Sequence, residues 1–126
     1  CGENSYLKPY GSDYFYAIHG LMLDRPYVGQ KTWDVLQVLR WIHQVGHPHI
    51  HLIAHGWGTL PAVFAALFSE QVDAITLKGG LRSYEEVATS VNYAWPLSTF
   101  LPGVLEHFDL PDCYRVLQSR MSFEWV

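Results

Sequence analysis

The chain has 126 residues, of which 49% are hydrophobic and 15% aromatic, with five tryptophans and a net charge of −4 when histidine is neutral. That length supports one sizeable core and not two ordinary domains, and the composition excludes a disordered segment. No apolar run approaches the roughly 20 residues of a membrane span, and no cluster of Lys or Arg supplies the positive face that nucleic-acid binding requires.

Residues Cys1 to Gly11 are polar and turn-rich, while Tyr14, Ala17, Ile18, Leu21 and Met22 recur at helical spacing. That helix is expected to end near Asp24-Arg25-Pro26, because proline disfavours continuation. Between Gln30 and Val45, the positions Val35, Val38, Leu39 and Ile42 form an apolar stripe that Trp33, Leu36 and Trp41 widen beyond that of a simple surface helix. Gly46 and Pro48 close it, and Ile50, Leu52 and Ile53 follow as a run of strand length.

Gly56 and Gly58 punctuate that run, and Leu60 to Phe68 reads as a buried helix with Pro61 tolerated in its first turn. Val72 to Leu77 is a second strand, stopped by Gly79-Gly80. Ser83 to Ser90 is predicted helical, with Ser83 as N-cap and Glu86 at capping-box spacing. Trp95-Pro96 breaks the chain; Leu97 to Phe108 suggests a short helix around Pro102, Pro111 to Ser119 another, and Met121 to Val126 a strand-like end.

Strand, glycine turn, helix, strand is a βαβ unit with parallel strands and a right-handed crossover. Parallel strands are normally covered on both faces and their edges paired or covered. The expected architecture is therefore a single partial α/β domain over residues 1–126, a parallel sheet with flanking helices. It belongs to a longer chain or is completed by homo-oligomerisation. Cys1 and Cys113 give neither a zinc spacing nor a redox pair; Cys1 suits a fragment boundary better than a lipid-modified terminus, for which no preceding signal is present.

The chemistry centres on Ala54-His55-Gly56-Trp57-Gly58. A strand-to-helix turn at such a position exposes its central residue and aims nearby amides at a bound anion, and its hydrolase form is G-x-S-x-G. Here Ala54 and Gly58 occupy the small flanks and Gly56 the nucleophile position. Glycine has no atom with which to attack a carbonyl, so no neighbouring base restores covalent ester hydrolysis there. The same glycines also suit a plain tight crossing from strand to helix.

The run LIAHGWGTLPAVFAALFSEQVDAITLKGGLRSYEEVATSVNYAWPLSTFLPGVLEHFDLPDCYRVL, with MLDRPYVGQKTWDVLQVLRWI before it, resembles the C-terminal part of bacterial α/β-hydrolases of the acetyl xylan esterase-like or dienelactone hydrolase-like kind. The resemblance spans about Tyr14 to Leu117. It implies an α/β-hydrolase fold, carboxylic ester substrates such as acetylated sugars, and a Ser-His-Asp mechanism with no cofactor. Position by position it implies His55 before the nucleophile, Gly56 at the nucleophile, and Trp57 as the residue whose amide serves the oxyanion hole. Gly58 closes the elbow. The acid and histidine have no matched position: His107, Asp109 and Asp112 lie in HFDLPD, which follows a helix instead of leaving a strand.

His47, His49, His51 and His55 fall within nine residues. On a strand His49 and His51 share a face and suit zinc, with His47 or an outlying carboxylate as third ligand. Against a binuclear H-x-H-x-D-H site, Ile53 stands at the aspartate and Ala54 at the next histidine. The competing reading places these histidines at the strand's entrance or under helices, with one nitrogen bonded to backbone. Ser83 reads better as a cap than as a nucleophile, and Ser98 has no base nearby in sequence. Trp33, Trp41, Trp57, Tyr93 and Trp95 suit either a core or an acyl or sugar pocket. Trp57 is the one the turn itself places near a pocket, with His55 beside it.

Two functions are thus expected to compete. One is a degenerate or partial esterase-like module without the elbow serine, acting in structure or in binding a small ester or acetylated carbohydrate. The other is a small carboxylesterase that uses a non-standard nucleophile, a His-bound metal or a site shared across a dimer.

Overall fold

The computed structural model describes residues 13–92 and 94–126. The turn-rich reading of residues 1–11, the lipid question at Cys1 and the aromatic Tyr93 lie outside them. Helix α1 (Tyr14–Met22) ends as expected before Arg25-Pro26. Pro26, extended at ψ 136°, then caps α2 (Tyr27–Gln44), which begins three residues before the predicted start. Proline fits there because its missing N–H falls among the amides that have no partner within the helix.

Strand β1 (Ile50–His55) leads through a single 3₁₀ turn, Gly56–Gly58, into α3 (Thr59–Phe68), and β2 (Val72–Lys78) follows. Next come α4 (Tyr84–Thr89), α5 (Leu110–Arg120) and β3 (Ser122–Trp125). All three strands are parallel and lie in the order β1-β2-β3. This is a partial α/β fold: a parallel sheet with flanking helices.

A sheet that grows steadily in one direction by right-handed crossovers carries every connecting helix on one face. Accordingly Leu52, Ala54, Ile75, Leu77, Phe123 and Trp125 point into the core beneath the helices. The helices stand in a row, α2 against α3 and α3 against α5. Helix α3 is the buried one, with every residue from Thr59 to Ala66 inside. The opposite sheet face is open, carrying His51, Ile53, His55, Thr76, Lys78, Ser122 and Glu124. The strand sequences IHLIAH, VDAITLK and SFEW place apolar residues on the core face and largely polar ones on the other, the pattern of a half-solvated sheet.

Two expectations are corrected. Leu97 to Phe108 forms no helix: it holds two isolated 3₁₀ turns, Leu97–Thr99 and Val104–Glu106. Pro102 supplies no N–H and pushes Leu101 out of the helical region, and Gly103 follows at φ 69°. On α2, Leu39 is buried and Val35 and Ile42 are half-buried, but Val38, Trp33 and Trp41 are exposed. The apolar circumference of α2 exceeds what one neighbouring layer covers.

Candidate functional site

The Gly56–Gly58 turn lies at the carboxyl end of β1, the end at which open parallel sheets receive ligands. Gly56 takes the left-handed conformation, φ 57°, and a Cβ built on it meets no atom within 4 Å. The position at which the resemblance implies a nucleophile is therefore turned outward into free space with no side chain to offer. Gly58 has an ordinary helical φ of −67°, and its hydrogen likewise faces open space. The turn is held from below: the buried Thr59 hydroxyl donates to the Gly56 carbonyl at 2.7 Å.

Neighbouring glycines complete the platform. Gly79, at the end of β2, is also left-handed at φ 57°, and the His55 ring lies beside it, with Nε2 3.8 Å from where a Cβ would stand. Gly80 is the tightest point, because a Cβ there would come within 2.6 Å of Thr59 Oγ1. His55 and Lys78 are register partners on the open face. Trp57 is 48% exposed. Arg82 stacks its guanidinium over the Trp125 ring at 3.5 Å.

Asp109 is a helix cap. Its Oδ1 accepts the Tyr84 and Leu110 amides, each at 2.7 Å, and its Oδ2 accepts the Ser83 hydroxyl. Burial raises its pKa, but the hydrogen bonds from Ser83 and from the Tyr84, Leu110 and Glu85 amides outweigh that and hold it below the usual carboxylate value. Asp112 completes the capping box by accepting the Asp109 amide. Ser83 caps α4 as its spacing predicts, accepting the Glu86 amide at 3.2 Å. Ser98 is buried, and His107 is exposed beside the α5 cap.

The histidines are not gathered. His49 precedes β1, and the pairing register shifts between Ile50 and His51, which spoils the even alternation expected of the pair. His49 Nδ1 lies 3.3 Å from Asp73, and His51 Nε2 lies 2.8 Å from Thr76 Oγ1. His47 and His49 sit at the entrance to β1, one of the two placements of the competing reading; they and His51 are exposed, and His49 and His51 meet side chains instead of backbone. Among the described residues, no three His, Cys, Asp or Glu side chains group to hold a metal.

Sequence reading missed a cross-strand chain on the open face. Thr76 donates its only hydroxyl proton to Glu124 at 3.2 Å, so His51 Nε2–H is the donor to Thr76. Alternating polar residues on three strands were the available signal, but β3 had to be placed beside β2 before they formed a row.

The chain matches no protein-family model, no curated protein and no solved structure. Among the described residues, no helix is long and apolar enough to cross a membrane.

Proposed function

We propose that the chain is an esterase-like α/β-hydrolase module without a catalytic set of its own, whose turn at the carboxyl end of β1 serves structure or the binding of a small ester or acetylated carbohydrate. The observation that carries this reading is Gly56: its φ of 57° and the open space before it support an outward-turned elbow, and it bears no nucleophile. Trp57, half-exposed on the next residue, offers a flat ring at the same place. Asp109 has both oxygens committed to caps and to Ser83, so it is not free to orient a catalytic imidazole.

The test has two arms. Gly56→Ser, confirmed folded by circular dichroism, is expected to leave short-chain p-nitrophenyl ester hydrolysis at the background rate. The unmodified chain is expected to show no turnover sensitive to a serine-directed phosphonate. Titration with acetylated xylan fragments is then followed by tryptophan fluorescence against a Trp57→Phe control. Phosphonate-sensitive hydrolysis by the unmodified chain would overturn the non-catalytic reading, and an unchanged Trp57 signal would remove the binding role.

A further inference from the structure

We propose that a second copy of this chain docks on the free edge of β1, pairing β1 antiparallel to its own counterpart and packing α2 against α2. Among the described residues β1 pairs only with β2, so its other edge presents unbonded backbone groups, a ready template for another strand. The row of helices follows the strand order, which puts α2 on the same side of the molecule as β1. Val38 and Trp41 on α2 and Val45 at its C-cap, spaced three and four residues apart, make a stripe roughly opposite the buried Leu39 and Thr32. A face apolar on both sides marks a helix that is covered on both sides.

The self-pairing is constrained by parity. In an antiparallel pair, directly opposed residues point to the same face, so a two-fold axis normal to the sheet must lie midway between one residue of β1 and that same residue of the second copy. An axis midway between the two Ile53 residues sets them opposite each other, His51 against the second copy's His55 and Leu52 against its Ala54. Core-facing residues then meet core-facing ones, and the helices of both copies stay on one side. The isoleucine that is 74% exposed on an otherwise largely polar face gains a partner identical to itself.

The same operation brings the two α2 stripes together, in the isologous arrangement of a two-fold dimer. Ile53, Val38, Trp41 and Val45 expose about half or more of their surface each, roughly 400 Å² per copy, half of the ~800 Å² per partner in a stable interface. The backbone of a six-residue strand and the flanks of an 18-residue helix adjoin them. Dimerisation on this edge is independent of whether the elbow binds an ester.

Sedimentation velocity on the full chain over a dilution series is expected to show a dimer. Ile53→Lys and Trp41→Lys, both at exposed positions, are each expected to weaken it at least tenfold with an unchanged circular dichroism spectrum. Phe68→Lys, on an exposed residue at the end of α3, is expected to leave it intact. In a Cys1→Ser background, Ile53→Cys is expected to give a disulfide-linked dimer under mild oxidation, because opposed residues of an antiparallel pair fall within disulfide reach. A monomer at the highest soluble concentration overturns the proposal, as does a dimer indifferent to Ile53→Lys or a dimer that the Ile53→Cys thiols fail to link.

Discussion

Asp109 accepts the backbone amide of Tyr84 at 2.7 Å across 25 residues of chain, and with the other carboxylate oxygen it accepts the Ser83 hydroxyl. One carboxylate thereby joins the start of α4 to the start of α5. Removing it strands a partly buried amide and hydroxyl and uncaps α5, so Asp109→Ala is expected to cost about 2–3 kcal/mol in urea unfolding. Asp109→Asn, which retains an acceptor oxygen, is expected to cost less than half of that. Equal losses in the two variants would show that the one oxygen kept by asparagine does not sustain the cap.

The same residue gives stability a pH dependence of known sign. Its carboxyl is held below the unfolded value by hydrogen bonds, so near that value the unfolded chain binds more protons here than the native one. The contribution is complete above the unfolded carboxylate pKa of about 4 and is lost as pH falls through the lower native pKa. Urea midpoints measured from pH 7 down to pH 3 are expected to fall less steeply in Asp109→Asn than in the unmodified chain. Parallel curves would contradict the assignment.

Local chemistry made much of this architecture legible. Ser83 with Glu86 marked α4, the continuous apolar run to Phe68 marked α3, and glycines at the ends of β1 and β2 marked the turns. What sequence could not show was set by neighbours distant in the chain. Asp109 reads as a loose acid until α4 is brought against it. His49 and His51 leave a ligand pair open as one reading until the register shift between Ile50 and His51 separates their partners. Trp41 reads as core until the layer that covers α2 proves to lie on its other side. At Leu97 to Phe108 the reason is local, since Pro102 and Gly103 break the segment into two short 3₁₀ turns.

Gly80 illustrates a glycine required by space. A Cβ there would approach Thr59 Oγ1 to 2.6 Å and its Cβ and Cγ2 to 3.0 Å, and Thr59 is fully buried. Gly80→Ala is expected to destabilise by roughly 2 kcal/mol through overpacking. Adding Thr59→Ala removes two of the three clashing atoms, so the double variant is expected to be more stable than the sum of the single changes. Strict additivity in thermal unfolding would reject the contact as the cause.

Gly56 and Gly58 separate conformation from space. Neither would crowd a neighbour with a methyl group, but Gly56 sits at φ 57° and Gly58 at φ −67°. Gly56→Ala is expected to cost about 1–2 kcal/mol from left-handed strain, whereas Gly58→Ala is expected to be neutral or to stabilise by a few tenths of a kcal/mol. The comparison by chemical denaturation bears on the turn directly: equal effects at the two positions would mean that Gly56 is not held left-handed in solution.

Cys113 is predicted to be chemically silent in the native protein. It lies in the core between Leu110 and Leu117 on α5, and burial first, then the nearby Asp112 and Asp109 charges, push its thiol up to about 11. Thiolate, not thiol, is the nucleophile toward disulfide reagents, and at pH 8 both the ionised fraction and the access are small. In a Cys1→Ser background, labelling by a chromogenic disulfide is therefore expected to proceed at the rate of opening of α5. It should accelerate with denaturant along the unfolding transition, and prompt stoichiometric labelling in native buffer would place Cys113 outside the core.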